Sequence, residues 1–333
     1  MRLEEALAEA RRKYRNWGRW GVDDVLGTLN FIDDAKRGQA ASLARRGRVF
    51  SLALEFGRDG PGTGDRGRGN PIHTMLDSGR EQPARSGDGL GYGFGDGFSD
   101  AESMLVMPLR ASTHWDGLGH VFDHGTGWNG RPRGAVITGA GDVVTGVERQ
   151  AARFVSRGVL LDVGRAIGGG SGSPGGSGSP GGSGGLPDGF AITEDHLLAT
   201  VAAQRTTVER GDIVIVRTGQ LTRCRGSWDG YAHGPAPGLS FGTLGWLHGT
   251  EIAAIASDTC GLEVRPHEFA EPCSAPLRQI AIPNMGLFIG EMFDADALAA
   301  DCADDGVYEF LLVAAGLPVT GGVGAPVNPV AIK

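Results

Sequence analysis

The chain has 333 residues, 40% of them hydrophobic, enough to bury a substantial core without disulfide or metal staples. Its net charge of −8 argues against nucleic-acid binding, which needs clustered cations, and no run approaches the ~20 apolar residues of a membrane-spanning helix. Four cysteines without CxxC pairing or regular spacing, and a charged start (MRLEEALAEARRKYRNWG) with no apolar signal-peptide core, fit a reducing, cytoplasmic setting.

In chain order, apolar positions at Leu3, Leu7, Ala10 and Tyr14 read as an amphipathic helix over 3–16. WGVDDVLGTLNFID (20–33) is dense in turn chemistry. Residues 57–98 have no periodicity, which points to a lid, with Ile72, Met75, Leu76, Tyr92 and Phe94 available to pack it down. Met104–Leu109 and Gly158–Val163 read as strands. The tract GGGSGSPGGSGSPGGSGG (168–185) has the composition of a flexible linker. Ordinary core patterning on both sides makes it a surface insertion within one domain spanning 1–333, not a boundary between two. Beyond it, Thr193 to Glu209 reads as a helix, and Ile213–Arg217, Ile252–Ile255 and Gly286–Ile289 read as strands. Helical pieces are expected near Leu239–Leu247 and Asp294–Ala315. Strands alternating with helices indicate a single compact α/β domain with a mixed sheet. No GxGxxG follows a strand, so dinucleotide binding has no support.

Chemistry concentrates in MPLRASTHWDGLGHVFDHGTGWNG, residues 107–130, where His114, Asp116, His120, Asp123 and His124 fall within eleven positions. On a strand, His114 and Asp116 point to one side, and a bend at Gly117 and Gly119 can return His120 to them. Imidazole and carboxylate suit a Zn²⁺, Mn²⁺ or Fe²⁺ ion, and a histidine beside them can act as general base. Turn residues satisfying backbone groups would give the same letters, but three convergent polar groups favour a site. His73 on the lid is a candidate substrate contact. Trp115 and Trp128 are expected to wall an apolar pocket. Neither Ser112 nor Ser240 sits in GxSxG, so a serine hydrolase has no motif.

The segment resembles the signature HxGTHxDxPxH of the cyclase family that includes bacterial kynurenine formamidases and isatin hydrolase. RGVLLDV, GDIVIVRTG, PGLSFGTLGWL, ASDTCGLEVRP and GAPVNPVAI are similar to further family blocks. The resemblance implies a compact α/β fold around a small β-barrel-like sheet, commonly a homodimer. By the same resemblance, His114, Asp116 and Glu291 match metal ligands and His120 the catalytic base, implying a divalent cofactor, Mn²⁺ or Zn²⁺. Two positions depart from the pattern. Arg110 stands where the first histidine should be, and Arg278, or Gln279 if the alignment slips, where a later ligand histidine should be. Arginine donates hydrogen bonds and cannot ligate. Arg110 therefore either turns outward beside a weaker metal site or turns inward and supplies a fixed charge in the metal's place. His267 and Glu268 are possible replacement ligands. The function implied is a hydrolase acting on an amide, cyclic amide or lactone carbonyl of a small metabolite. The alternatives are a metal-independent cyclase, dehydratase or isomerase using Arg110 as electrophile, or a binding protein without activity.

Overall fold

The computed structural model describes residues 2–64, 69–78, 100–168 and 185–333. Its strands are β1 (Val49–Ser51), β2 (Ile72–Asp77), β3 (Glu102–Val106), β4 (His114–Asp116), β5 (Ile137–Thr138), β6 (Gly141–Asp142), β7 (Val155–Asp162) and β8 (Ala191–Ile192). They continue with β9 (Ile213–Arg217), β10 (Gly238–Leu239), β11 (Ala254–Ser257), β12 (Phe288–Glu291), β13 (Glu309–Val313), β14 (Gly324–Pro326) and β15 (Val330–Ile332). Its helices are α1 (Leu3–Lys13), α2 (Asp34–Ala41), α3 (Arg133–Val136), α4 (Val163–Gly168) and α5 (Glu194–Gln204). α6 (Gln220–Cys224), α7 (Leu244–Gly249), α8 (Pro276–Ile280) and α9 (Asp296–Asp305) complete the set.

Nine strands form one mixed sheet in the order β1-β15-β13-β7-β9-β11-β12-β4-β14, an open half-barrel with β1 and β14 at its edges. Its centre, β7-β9-β11-β12, is parallel. Every residue of β9, β11 and β12 is buried, as expected where both faces of a sheet are covered. β4 joins β12 antiparallel and takes β14 on its other side. The site lies here, with Glu291 as the last residue of β12, at the carboxyl end of the parallel strands, where open α/β sheets place their ligands.

Several elements differ from their sequence expectation. The helix expected over 294–315 ends at Asp305, because Gly306 adopts φ 72° and the alternating segment Glu309–Val313 then pairs with β7 and β15. The strand expected over 104–109 is β3 instead. It stops at Val106 and, among the described residues, pairs with β2 in a two-stranded ribbon outside the main sheet. The ribbon is exposed along both strands, leaving Ile72, Leu76 and Val106 in solvent, with His73 opposite Leu105. Positions 65–68 and 79–98 of the expected lid, including Tyr92 and Phe94, and residues 169–184 of the Gly/Ser/Pro tract lie outside the described residues. The tract's two ends meet: a Cβ added to Gly168 would stand 3.0 Å from the Gly185 carbonyl oxygen. α1 forms as expected and buries Leu3, Ala6, Leu7 and Ala10. Among the described residues, no helix is long and apolar enough to cross a membrane.

Candidate active site

β4 is three residues long, His114-Trp115-Asp116, and strand alternation sorts it into two faces. His114 and Asp116 share one face. Trp115 goes to the other, stacking on Phe154 at 4.7 Å between ring centroids and donating its indole N–H to the Ala314 carbonyl. Gly290, paired with Trp115 in β12, makes room for it, since a Cβ there would approach Trp115 to 2.8 Å and Phe293 to 2.6 Å. Trp115 is thus a core residue, as is Trp128, whose Nε1 donates to the Asp24 carbonyl.

The register sets Glu291 directly opposite His114, so three buried ligand-type side chains gather on one face. A turn closed by His120 N donating to Gly117 O (3.1 Å) brings His120 Nε2 to 3.7 Å from Asp116 Oδ1. Gly119 is required there, because a Cβ would fall 2.0 Å from Asp142 Oδ2, the carboxylate that ties down Val144 and Thr145.

Two arginines complete the group. Arg110 turns inward, its stem lying over Gly324 of β14, where a Cβ would meet it at 2.9 Å. Its Nη1 donates to Asp116 Oδ1 (2.8 Å) and to His120 Nε2 (2.7 Å). Arg278, on α8, donates from Nη1 to Glu291 Oε1 (2.5 Å) and Asp116 Oδ2 (3.2 Å). Glu263 holds this helix in place: its carboxylate accepts from Leu277 N (3.0 Å) and Arg278 N (3.3 Å) and lies 3.6 Å from Arg278 Nε. Nothing in the local spacing marks Glu263 as a site residue; the fold brings it beside Arg278.

The electrostatics follow from this geometry. Burial opposes ionisation of Asp116, but His120 and Arg110 outweigh it and hold the carboxyl well below its usual range. Burial pushes His120 down to about 4; Arg110 and Arg278 add to the fall and Asp116 opposes it. Burial raises Glu263 to about 7 against the pull of Arg278. Near neutral pH, His120 is therefore an uncharged imidazole between a carboxylate and a guanidinium.

Other candidates fall outside this group. Asp123 accepts hydrogen bonds from Arg11, Gln279 and Asn284 and pairs with His124, so it fastens α1 to α8 and to the segment after it. Arg278, not Gln279, is accordingly the site residue. His267 Nε2 lies 2.9 Å from the Cys273 carbonyl, and Glu268 accepts from Phe241 N, so neither replaces a ligand. Beside Arg110 opens a small cleft lined also by Thr63, His233, Cys260 and Met292. Of these, Thr63 Oγ1 and His233 Nε2 are 3.0 Å apart.

Among the described residues, His114, Asp116 and Glu291 form a group whose ligand atoms, all within 4.8 Å of one another, could hold a metal ion. His114 Nδ1 lies 2.8 Å from the Ser112 carbonyl and must carry the ring proton, leaving Nε2 buried and without a hydrogen-bond partner. That much suits a cation. The guanidinium of Arg278 does not, because it already bridges both carboxylates, and Arg110 adds a second fixed charge. As they stand, these residues do not fit a divalent ion.

A family model named Putative cyclase matches residues 52–264. The crystal structure of a novel cyclase is 33% identical, covers 97% of this chain and 99% of its own, and superposes with a TM-score of 0.81. Isatin hydrolase A from Ralstonia solanacearum is 16% identical over 90% of this chain and 97% of its own, with a TM-score of 0.60. Isatin hydrolase A from Labrenzia aggregata, bound to benzyl benzoate, is also 16% identical, over 88% of this chain and 96% of its own, with a TM-score of 0.59. No curated protein matches the chain in sequence.

Proposed function

Because the chain belongs to the cyclase family, we propose that it is a hydrolase adding water to the carbonyl of an amide, cyclic amide or lactone in a small metabolite, with His120 as acid/base and Arg110 as electrophile. The observation that carries this reading is the single Arg110 Nη1 shared between Asp116 and His120 at the edge of a cleft.

At rest, Arg110 engages the His120 Nε2 lone pair. A substrate carbonyl oxygen that takes over this N–H is polarised by the guanidinium and leaves Nε2 free as a proton acceptor. Water then attacks the carbonyl carbon as His120 takes its proton. Charge collects on the oxygen against Arg110, and Asp116 at 3.7 Å stabilises the imidazolium that forms. Breakage of the C–N or C–O bond returns the proton from His120 to the departing atom. A base titrating near 4 is a weak acceptor, so this scheme depends on that stabilisation by Asp116.

The same neutral imidazole beside fixed positive charge also suits a second reading, a metal-independent cyclase, dehydratase or isomerase that moves a proton next to a carbonyl. Turnover of a panel of cyclic amides, lactones and N-acyl compounds in water labelled with heavy oxygen separates the two. Hydrolysis places the label in a product carboxylate. Turnover without incorporation would replace the hydrolase reading with the second one.

A further inference from the structure

We propose that Arg278 occupies the place of a divalent cation, so that the native chain has no resident metal and loss of this one side chain opens a cation site at His114, Asp116 and Glu291. The inference goes beyond the reaction proposed above. Its readouts are metal content and binding, so its failure leaves the acid/base role of His120 standing.

The geometry is that of a substituted ion. One nitrogen, Arg278 Nη1, bridges an oxygen of Glu291 (2.5 Å) and an oxygen of Asp116 (3.2 Å), as a metal would bridge two ligands. The other oxygen of each carboxylate is turned to His114, whose Nε2 stands 3.5 Å from Asp116 Oδ1 and 3.6 Å from Glu291 Oε2. Donors bound tetrahedrally at about 2.1 Å lie roughly 3.4 Å apart, so these spacings need little adjustment to coordinate. The tautomer is set as well, since the Ser112 carbonyl holds the proton on Nδ1 and orients the unpartnered Nε2 as a ligand would be oriented.

Charge explains why the present side chains exclude the ion. Asp116 and Glu291 are balanced by Arg110 and Arg278 in a site where both carboxylates are fully buried. A divalent ion added to this group would bring two uncompensated charges into a poorly solvated place. Arg278 is also firmly placed, through α8 and the contacts of Glu263 with its backbone N–H and Nε. Removing its guanidinium vacates the space between the carboxylates and restores their excess negative charge. Three protein ligands with an open position for water suit Zn²⁺, and Mn²⁺ is a convenient paramagnetic probe of the same site.

The experiment uses the full chain, purified without chelators, for elemental analysis and Mn²⁺ titration followed by electron paramagnetic resonance. The native protein should carry less than about a tenth of an equivalent of metal, and Arg278→Ala should bind one Mn²⁺ at least roughly tenfold more tightly, in a manner lost on adding His114→Ala. Arg278→Met, which keeps the packed stem without the charge, serves if the alanine variant does not fold. Near-stoichiometric metal on the native chain, lost in His114→Ala, would overturn the proposal. So would a folded Arg278 variant that binds Mn²⁺ no better than the native protein. If neither variant folds, the native metal content alone decides.

Discussion

Asp116 and Asp123 lie seven residues apart in one segment, and both are buried, ionised and bonded to an arginine, yet their surroundings differ. Asp116 is surrounded by groups that titrate or carry charge, and one of them, Arg110, borders a cleft. Asp123 is surrounded by groups that fasten: Arg11 from α1, Gln279 beside the site arginine, and Asn284 beyond α8. Neighbouring residues of α8 divide the labour, Arg278 turning to Asp116 and Gln279 to Asp123. A cluster of polar letters is therefore no sign that all of them act. What separates chemistry from fastening is whether the partners reach a cavity.

Substitutions on the two sides should come apart accordingly. His120→Ala should lower kcat/KM by roughly 10²–10⁴-fold, with a melting temperature near that of the native chain, because only general acid/base chemistry is removed. Equal activity in this variant would leave Asp116 as structural as Asp123. Arg110→Met should cost on the order of 10²–10³-fold, mostly in kcat, as expected for a group aimed at developing charge; an effect confined to KM would reduce Arg110 to a substrate clamp. Asp123→Ala should do the reverse. Denaturant unfolding should show a loss of about 2–4 kcal/mol, since the variant strands the partly exposed Arg11 and two amide donors, while much of the turnover per folded molecule is kept. Shortening 168–185 to a few residues should move the melting temperature by no more than a few degrees, because the chain leaves and returns at adjoining glycines. A large drop there would show that the tract stabilises the fold.

Much of this was legible in the residues, and the remainder fails for identifiable reasons. Ile213–Arg217 is read to the residue, because five consecutive buried positions rich in β-branched side chains, bounded by Gly211 and Gly219, have only one reading. The helix after Asp294 is overrun because Gly306 is a weak stop signal inside an apolar stretch, and the partners of Glu309–Val313 are remote in sequence. His114, Asp116 and His120 could be grouped from spacing alone, since a strand and one turn join them. Glu291 and Arg110 needed the family resemblance, and the inward turn of Arg110 depends on Gly324, more than two hundred residues away. Glu263 lies in a family-like block, but nothing in the spacing pairs it with Arg278, through which it acts.

The most direct test of a site that works through His120 and fixed guanidinium charge is the pH dependence of kcat/KM, recorded in excess chelator on the best substrate of the panel. An imidazole must be neutral to accept a proton, so the rate should be level near neutrality and fall only as the pH drops through about 4, where His120 becomes protonated. The chelator should leave the whole profile unchanged. A rate abolished by chelation and restored by Mn²⁺ or Zn²⁺, or an acid limb near the ordinary histidine value, would contradict it.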